Sequence, residues 1–255
     1  MVNNRGEYER MHELEGSLWW YQILHEKVLR QIRRRFRAAD KPTILDAACG
    51  TGGLISHLNR HGFTDVCGFD YSRHAVEFSQ KRGLDVSFGD LRKVGDFRPG
   101  VKYDVVVCND ALYFLTDREI VTALAGFKAK LKPNGLLLIN IHAHEAFSGT
   151  HDVAVGSTRR FVLADFNGYV QASGLRLTHS TYWPFALSLP IWVVRQWQKR
   201  QLRRGKIDVQ TLESDVQYPG DFLNNILHFV TRTEQALLPR GPFGSSLFMV
   251  LEAAQ

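Results

Sequence analysis

The sequence predicts an α/β fold with a doubly wound, mostly parallel sheet. Three observations predict it. From about Lys41, short apolar runs alternate with segments of helical period. A glycine-rich turn, Gly50-Thr51-Gly52-Gly53, joins the first of those runs to the first helix of the alternation. A carboxylate, Asp70, closes the second run twenty residues after Gly50. Strand–helix alternation at this spacing implies right-handed crossovers and parallel strands. Open sheets of that kind bind ligands at the carboxyl ends of their strands, where the turn and Asp70 both fall.

The elements follow in order. Glu7 to Ala38 is helical in period with a break near Gly16–Ser17, and residues 1–40 read as an N-terminal helical cap. Thr43 to Ala47, Asp65 to Phe69, Asp85 to Phe88, Tyr103 to Cys108 and Gly135 to Ile141 read as strands. Gly53 to His61, Ser72 to Arg82 and Asp117 to Leu131 read as the helices between them. Pro133, Asn134 and Gly135 stop the last of these helices and launch the fifth strand. Phe161 to Ala172 then reads as a helix and Leu175 to Tyr182 as a strand. Trp183 to Arg240 intervenes before a last strand, Ser246 to Glu252. That is long for a connection between neighbouring strands, which usually takes a few residues. It holds two predicted helices, near Pro190 to Arg204 and Phe222 to Leu238. The expected organisation is a cap (1–40), a core (41–182 and 241–255) and a helical insertion (183–240).

The 255 residues are 44% hydrophobic and 23% charged, a balance that suits a packed core and argues against disorder. The longest mostly apolar stretch, Phe185 to Val194, is about half of the ~20 residues that span a bilayer. No apolar run follows the N-terminus, so no secretory signal is expected. Cys49, Cys67 and Cys108 are an odd count without C-x-x-C spacing, which predicts reduced, buried thiols in a cytoplasmic protein and no metal site. The formal charge is +6, and two clusters supply much of it. One is Arg30, Arg33, Arg34, Arg35 and Arg37; the other is Arg195, Lys199, Arg200, Arg203, Arg204 and Lys206. Such runs form a solvated helix face, or they attract nucleic acid, anionic lipid or an acidic substrate.

The segment Ile44-Leu45-Asp46-Ala47-Ala48-Cys49-Gly50-Thr51-Gly52-Gly53 carries the cofactor prediction. Glycine lets the backbone approach a ligand where a side chain would collide. Asp70, at the second strand's end, is placed to accept from both ribose hydroxyls of an adenosine. Asp90, in Gly89-Asp90-Leu91 after the third strand, is placed to accept from an adenine amino group. A dinucleotide-binding turn needs a third glycine for close helix packing, and Ile55 stands in its place.

The order D-x-x-C-G-T-G, then D, then G-D resembles the class I S-adenosylmethionine-dependent methyltransferases. The resemblance continues in Tyr103-Asp104-Val105-Val106-Val107 and in Leu131-Lys132-Pro133-Asn134-Gly135-Leu136. It implies a seven-stranded sheet with six parallel strands and an antiparallel last one. It also implies S-adenosylmethionine as cofactor, contacted by Asp46, Ala48, Gly50, Gly52, Asp70, Tyr71, Asp90, Leu91 and Asn109. Family members usually have glycine where this chain has Ala48; alanine is tolerable there if φ is negative. A sulfonium makes its methyl carbon electrophilic, so the protein's task is in-line positioning, with a base if the nucleophile must lose a proton.

Outside the core, Glu15, Trp19, Trp20 and Tyr21 resemble the E-x-x-x-W-W-[YF] opening of a bacterial methyltransferase group, mostly without assigned substrates. His151-Asp152, Arg159-Arg160-Phe161, Tyr182-Trp183-Pro184 and Pro242-Phe243-Gly244-Ser245-Ser246 extend that resemblance over nearly the whole chain. His151 follows the fifth strand and is the predicted general base; adjacent Asp152 orients a group nearby or, alternatively, pairs with Arg159 or Arg160 and shapes the loop. His142 and His144, nearer the strand end, are weaker candidates, as is His25. The predicted acceptor pocket takes Trp19, Trp20, Tyr21, His25, Tyr113, His142, Arg159 and Tyr182. The tryptophans and Tyr21 form either an aromatic wall or an anchor for the cap. Asn109-Asp110-Ala111-Leu112-Tyr113 lacks the N/D-P-P-Y/F pattern of enzymes that methylate exocyclic amino groups of bases.

The expected activity is methyl transfer to a small-molecule acceptor (a natural product, lipid or saccharide), with oxygen the methylated atom. Two alternatives remain: a nucleic-acid methyltransferase, and a cofactor-binding protein that transfers no methyl group. Trp183 to Lys206 is read in two ways. Its apolar residues pack onto the sheet or close the pocket; otherwise the segment makes peripheral contact with a membrane surface.

Overall fold

A computed structural model describes residues 5–204 and 217–254. One sheet holds seven strands: β1 (Ile44–Ala47), β2 (Val66–Asp70), β3 (Val86–Phe88), β4 (Tyr103–Asn109), β5 (Leu131–His142), β6 (Leu175–Trp183) and β7 (Ser246–Ala253). Their order is β3-β2-β1-β4-β5-β7-β6, with β7 antiparallel to both neighbours and β1 to β5 joined by parallel ladders. This is the expected α/β sheet.

Nine α-helices are described: α1 (Arg5–Leu14), α2 (Trp19–Arg35), α3 (Gly53–Arg60), α4 (Arg73–Lys81), α5 (Asp117–Lys130), α6 (Thr150–Val155), α7 (Leu163–Ala172), α8 (Ser188–Arg203) and α9 (Asp221–Leu237). The strand period sorts the core into two layers. Val106 and Cys108 point to a cluster with Leu124, Phe127 and Phe166 from α5 and α7. Val105 and Val107 point to the opposite cluster, with Ile23, Ile32 and Ile55 from α2 and α3. Local signals set the helix ends. Thr116 and Glu119 form a capping box at the start of α5, and Lys128 and Lys130 sit in its last turn, complementing the helix dipole. The three cysteines are buried free thiols.

The cap breaks at Gly16–Ser17, as the sequence predicts, and its two helices do different work. In α2, Ile23, Leu24, Val28 and Ile32 are buried against the sheet. In α1 no residue is fully buried; Arg5 bridges to Glu77 of α4 at 3.1 Å. The insertion contributes α8, against α6 and the turn at Glu145–Phe147, and α9, against α2. Asn224 of α9 donates to the Ser17 carbonyl at 3.0 Å and accepts from the Trp19 N–H at 2.8 Å. The expectation that the apolar residues of 183–206 pack inward or close the pocket holds for Trp183, which is buried, and Ile191, which lines a cavity, and is corrected for four others. Leu189, Trp192, Val193 and Val194 are exposed, because α8 turns its polar Ser188 and Gln198 toward the protein. Lys206, counted in the second basic cluster, lies outside the described residues. Among those described, no helix is long and apolar enough to cross a membrane.

Candidate active site

The carboxyl ends of β1 to β5 open into a cavity of about 860 Å³, roofed by α1, the start of α2 and α8. At its floor the glycine-rich turn takes left-handed conformations at Gly50 (φ 55°) and Gly52 (φ 84°). Ala48 is left-handed as well (φ 61°), contrary to the negative φ under which alanine was expected to be tolerable. A residue with a Cβ meets its own carbonyl there, at a cost of about 1–2 kcal/mol.

Asp70 holds the turn. Its Oδ2 accepts from the Gly50 N–H at 2.9 Å and its Oδ1 from the Ser72 N–H at 2.8 Å. Burial pushes this carboxyl up, and those backbone hydrogen bonds oppose the shift. Asp46, at the end of β1, is buried near the acids Glu15 and Asp70; burial first, then those charges, push it up to about 8. At the outer rim, Tyr71 (43% exposed) and Phe88 (53% exposed) lie 5.3 Å apart and offer aromatic faces to the cleft. Asp90 accepts from the Arg92 N–H at 2.9 Å and pairs with its guanidinium at 2.8 Å. Burial pushes Asp90 up, and the Arg92 contacts outweigh it, so its pKa lies below the usual value.

Sequence reasoning missed the cap's hold on the turn. Glu15, 4% exposed, accepts from Thr51 Oγ1 at 2.5 Å, from Arg82 and from the backbone of Gly53. A Cβ on Gly53 would come within 2.3 Å of that carboxylate, and a Cβ on Gly50 within 2.8 Å of Met11 Sδ. The missed signal is the glutamate of the E-x-x-x-W-W-[YF] opening, an acid fixed four residues before the first tryptophan. Tyr8 of α1 also lines the cavity, near Asp70 and Ser72.

At the other end, Asp110 follows β4 and His142 ends the neighbouring β5. Asp110 (φ 47°) has Oδ2 bound by Asn140 Nδ2 at 2.8 Å, and Asn140 Oδ1 in turn accepts from Trp183 Nε1 at 2.9 Å. Asp110 Oδ1 and His142 Nδ1 are buried without a hydrogen-bond partner. His142 Nε2 lies 3.8 Å from Asp110 Oδ1, and its Nδ1 lies 3.8 Å from Asp152 Oδ1. The imidazole stacks on Tyr113 at 4.7 Å. Burial pushes Asp110 up to about 7. Burial first, then nearby Arg160, holds His142 well below its usual value, so it is neutral at physiological pH. His151 lines the same cavity, its ring 5.5 Å from His142.

Of the predicted residues, Asp46, Ala48, Gly50, Asp70, Tyr71, Asp90, Leu91, Asn109, Trp19, Trp20, Tyr21, His25, Tyr113, His142 and His151 line the cavity. Trp20 also stacks on buried Trp183 at 5.6 Å, so wall and anchor are one. His25 is driven down to about 3, mainly by burial. Four placements need correction. Asp152 does not line the cavity: Arg160 grips both its oxygens, at 2.8 and 3.0 Å, and Gly149 N–H donates to it at 2.8 Å. The alternative pairing with Arg160 is therefore the one observed. Arg159 turns away to Asp117 and the Leu115 carbonyl. Tyr182 accepts from the Leu163 N–H at 2.8 Å and packs on His144. Gly52 serves packing, since a Cβ there would meet Leu84 at 2.4 Å. Arg160, Arg195, Ser245 and Ser246 line the cavity without having been predicted.

Comparison with known proteins fits this geometry. Residues 44–135 match the family model of a methyltransferase domain. Over 109 residues the chain is 33% identical to the dTDP-3-amino-3,4,6-trideoxy-alpha-D-glucopyranose N,N-dimethyltransferase of Streptomyces venezuelae, covering 41% of this chain and 44% of that protein. Over 139 residues it is 33% identical to the malonyl-[acyl-carrier protein] O-methyltransferase of Halalkalibacterium halodurans, covering 51% of each. The chain thus aligns with about half the length of these relatives. Its fold is similar to that of an S-adenosylmethionine-dependent methyltransferase from Clostridium acetobutylicum ATCC 824 (TM-score 0.55, 10% identity, 92% of each chain). Residues 44–135 thus resemble a methyltransferase domain, and the chain shares the fold of S-adenosylmethionine-dependent methyltransferases. The site suits that cofactor. Asn109 Oδ1 is buried without a hydrogen-bond partner, and the carboxyls of Asp46 and Asp70 line the cavity floor.

Proposed function

We propose that this chain methylates a hydroxyl oxygen of a small-molecule acceptor held between the cofactor cleft and α8. When bound, S-adenosylmethionine supplies an electrophilic methyl carbon. Asp70 and Asn109 would hold it, with Tyr71 and Phe88 beside its base. The observation that carries the reading is the buried Asp110–His142–Asp152 arrangement at the far end of the cavity. A hydroxyl must lose its proton as it attacks, and neutral His142 can take it. The resulting imidazolium would stand 3.8 Å from the carboxyl groups of Asp110 and Asp152. Arg160 pairs with Asp152 and holds it in place. The relatives' names specify an amino-sugar nitrogen in one case and an O-methyl product in the other; His142 is the reason for choosing oxygen here.

Labelled methyl transfer to a panel of saccharide, lipid and natural-product hydroxyls tests this. His142→Ala should lower turnover by about 10²–10⁴ while cofactor affinity holds. Undiminished turnover would move the proton to His151 or remove the base. Transfer confined to amines would overturn the choice of oxygen.

A further inference from the structure

The insertion helices are amphipathic in the reverse of the usual sense. In α9 the buried residues are polar: Asn224, Thr231 and Gln235. Phe222, Ile226 and Phe229, spaced i, i+4, i+7 on the opposite side, are 81%, 41% and 70% exposed. In α8 the buried residues are Ser188 and Gln198, whereas Leu189, Trp192, Val193 and Trp197 are exposed. A soluble helix normally buries its apolar stripe and exposes its polar one. Two neighbouring segments that do the opposite present apolar surface to something outside the chain.

The charge on α8 says what that is. Arg200, Arg203 and Arg204 continue the same outer side of the helix, one or two turns past Trp197, and all three are exposed. The 16 residues of α8 include no acid. A second copy of the chain would bring to this face no countercharge from its own α8, and from α9 only Asp221 and Glu234, of which Glu234 already accepts from the Phe185 and Ala186 N–H groups. An anionic lipid surface brings one, together with an acyl region for the leucine and valines and a headgroup boundary for the tryptophans. The face is next to the cavity. Ile191 and Arg195 of α8 line it from the inner side of the helix, and Asn224 of α9 binds the backbone on either side of the break before Trp19.

We propose that α8 and α9 form a peripheral membrane-docking face for bilayers rich in anionic lipid. This deepens the reading of the cavity as a methyl-transfer site, because docking there would open the site to acceptors dissolved in or anchored to the bilayer.

Co-sedimentation of the full chain with phosphatidylglycerol–phosphatidylcholine vesicles tests it. The expected result is binding to these vesicles, little binding to pure phosphatidylcholine, and weakening as salt rises from 50 to 500 mM. Arg200→Glu with Arg203→Glu should weaken binding by roughly fivefold or more per charge. Trp192→Ala with Trp197→Ala should abolish it, and tryptophan emission should shift to the blue in the wild type alone. Calorimetric cofactor affinity, measured on each variant, should be unchanged; that separates loss of docking from loss of the site. Protein that stays in the supernatant at low salt with anionic lipid in excess overturns the proposal. So does a dimer that Phe229→Glu dissociates in the absence of vesicle binding, which would assign the face to a second copy.

Discussion

Replacing Asp70 by asparagine separates its two duties. In the native site the carboxylate accepts from the Gly50 N–H at 2.9 Å and the Ser72 N–H at 2.8 Å. Asparagine keeps one oxygen and puts an amide NH₂ where the other was, so one backbone N–H loses its acceptor and faces a donor. An orphaned buried donor costs about 1–3 kcal/mol, which is the expected loss of stability. The cofactor's ribose would lose a charged acceptor as well; such bonds contribute about 1.5–3 kcal/mol. Affinity for S-adenosylmethionine should therefore fall by roughly ten- to a hundredfold. The assay is titration calorimetry on the variant, at a temperature where circular dichroism shows it folded. A folded Asp70→Asn protein with wild-type affinity would refute the assignment of this carboxylate to the ribose, whatever the melting curve shows.

Two further outcomes follow from the same cleft. Burial raises Asp46 from 3.8 to about 8. A carboxyl raised on folding contributes stability below its unfolded value that is lost as pH climbs through its folded one, so the free protein should lose stability between about pH 4 and 8. A cation favours the ionised form, so affinity for S-adenosylmethionine should climb with pH up to about 8, by at most roughly tenfold per unit. S-adenosylhomocysteine, without the sulfonium charge, should show a flatter profile; equal slopes for the two would remove Asp46 from the account. Ala48→Gly should relieve the left-handed strain of about 1–2 kcal/mol and return part of it, about 0.5–1 kcal/mol, as unfolded-chain entropy. The expected Tm rise is about 1–3 °C by calorimetric scan, and a lower Tm would show that the methyl of Ala48 packs usefully.

What could be read from the sequence is what lies close along the chain. The turn, its helix and Asp70 are one strand–helix–strand unit, so spacing places them together. The break at Gly16–Ser17 and the lone antiparallel strand were legible for similar reasons, the first from local turn chemistry and the second from the family resemblance. The acceptor end was not. Asp110 and His142 meet because β4 and β5 are parallel neighbours with Asn109 opposite Asn140; strand pairing, not local pattern, brings them together. Asp152 looked like an orienting acid until Arg160, eight residues on, took both its oxygens. Glu15 reaches Thr51 across 36 residues, a contact no local pattern announces. In α8 and α9 the helical period shows where the apolar stripe is. It does not show which way the stripe faces, because that depends on contacts remote in sequence, such as those of Asn224 with Ser17 and Trp19.

The central claim is that one cavity joins the cofactor turn to the Asp110–His142 pair so that a methyl group is delivered between them. A crystal structure of the chain with S-adenosylmethionine tests it most directly. The account predicts density for the adenosine between Asp70 and the Tyr71–Phe88 rim, with the sulfonium methyl directed toward His142. A cofactor bound with its methyl facing away from His142 and Asp110, or bound outside this cavity, would contradict it.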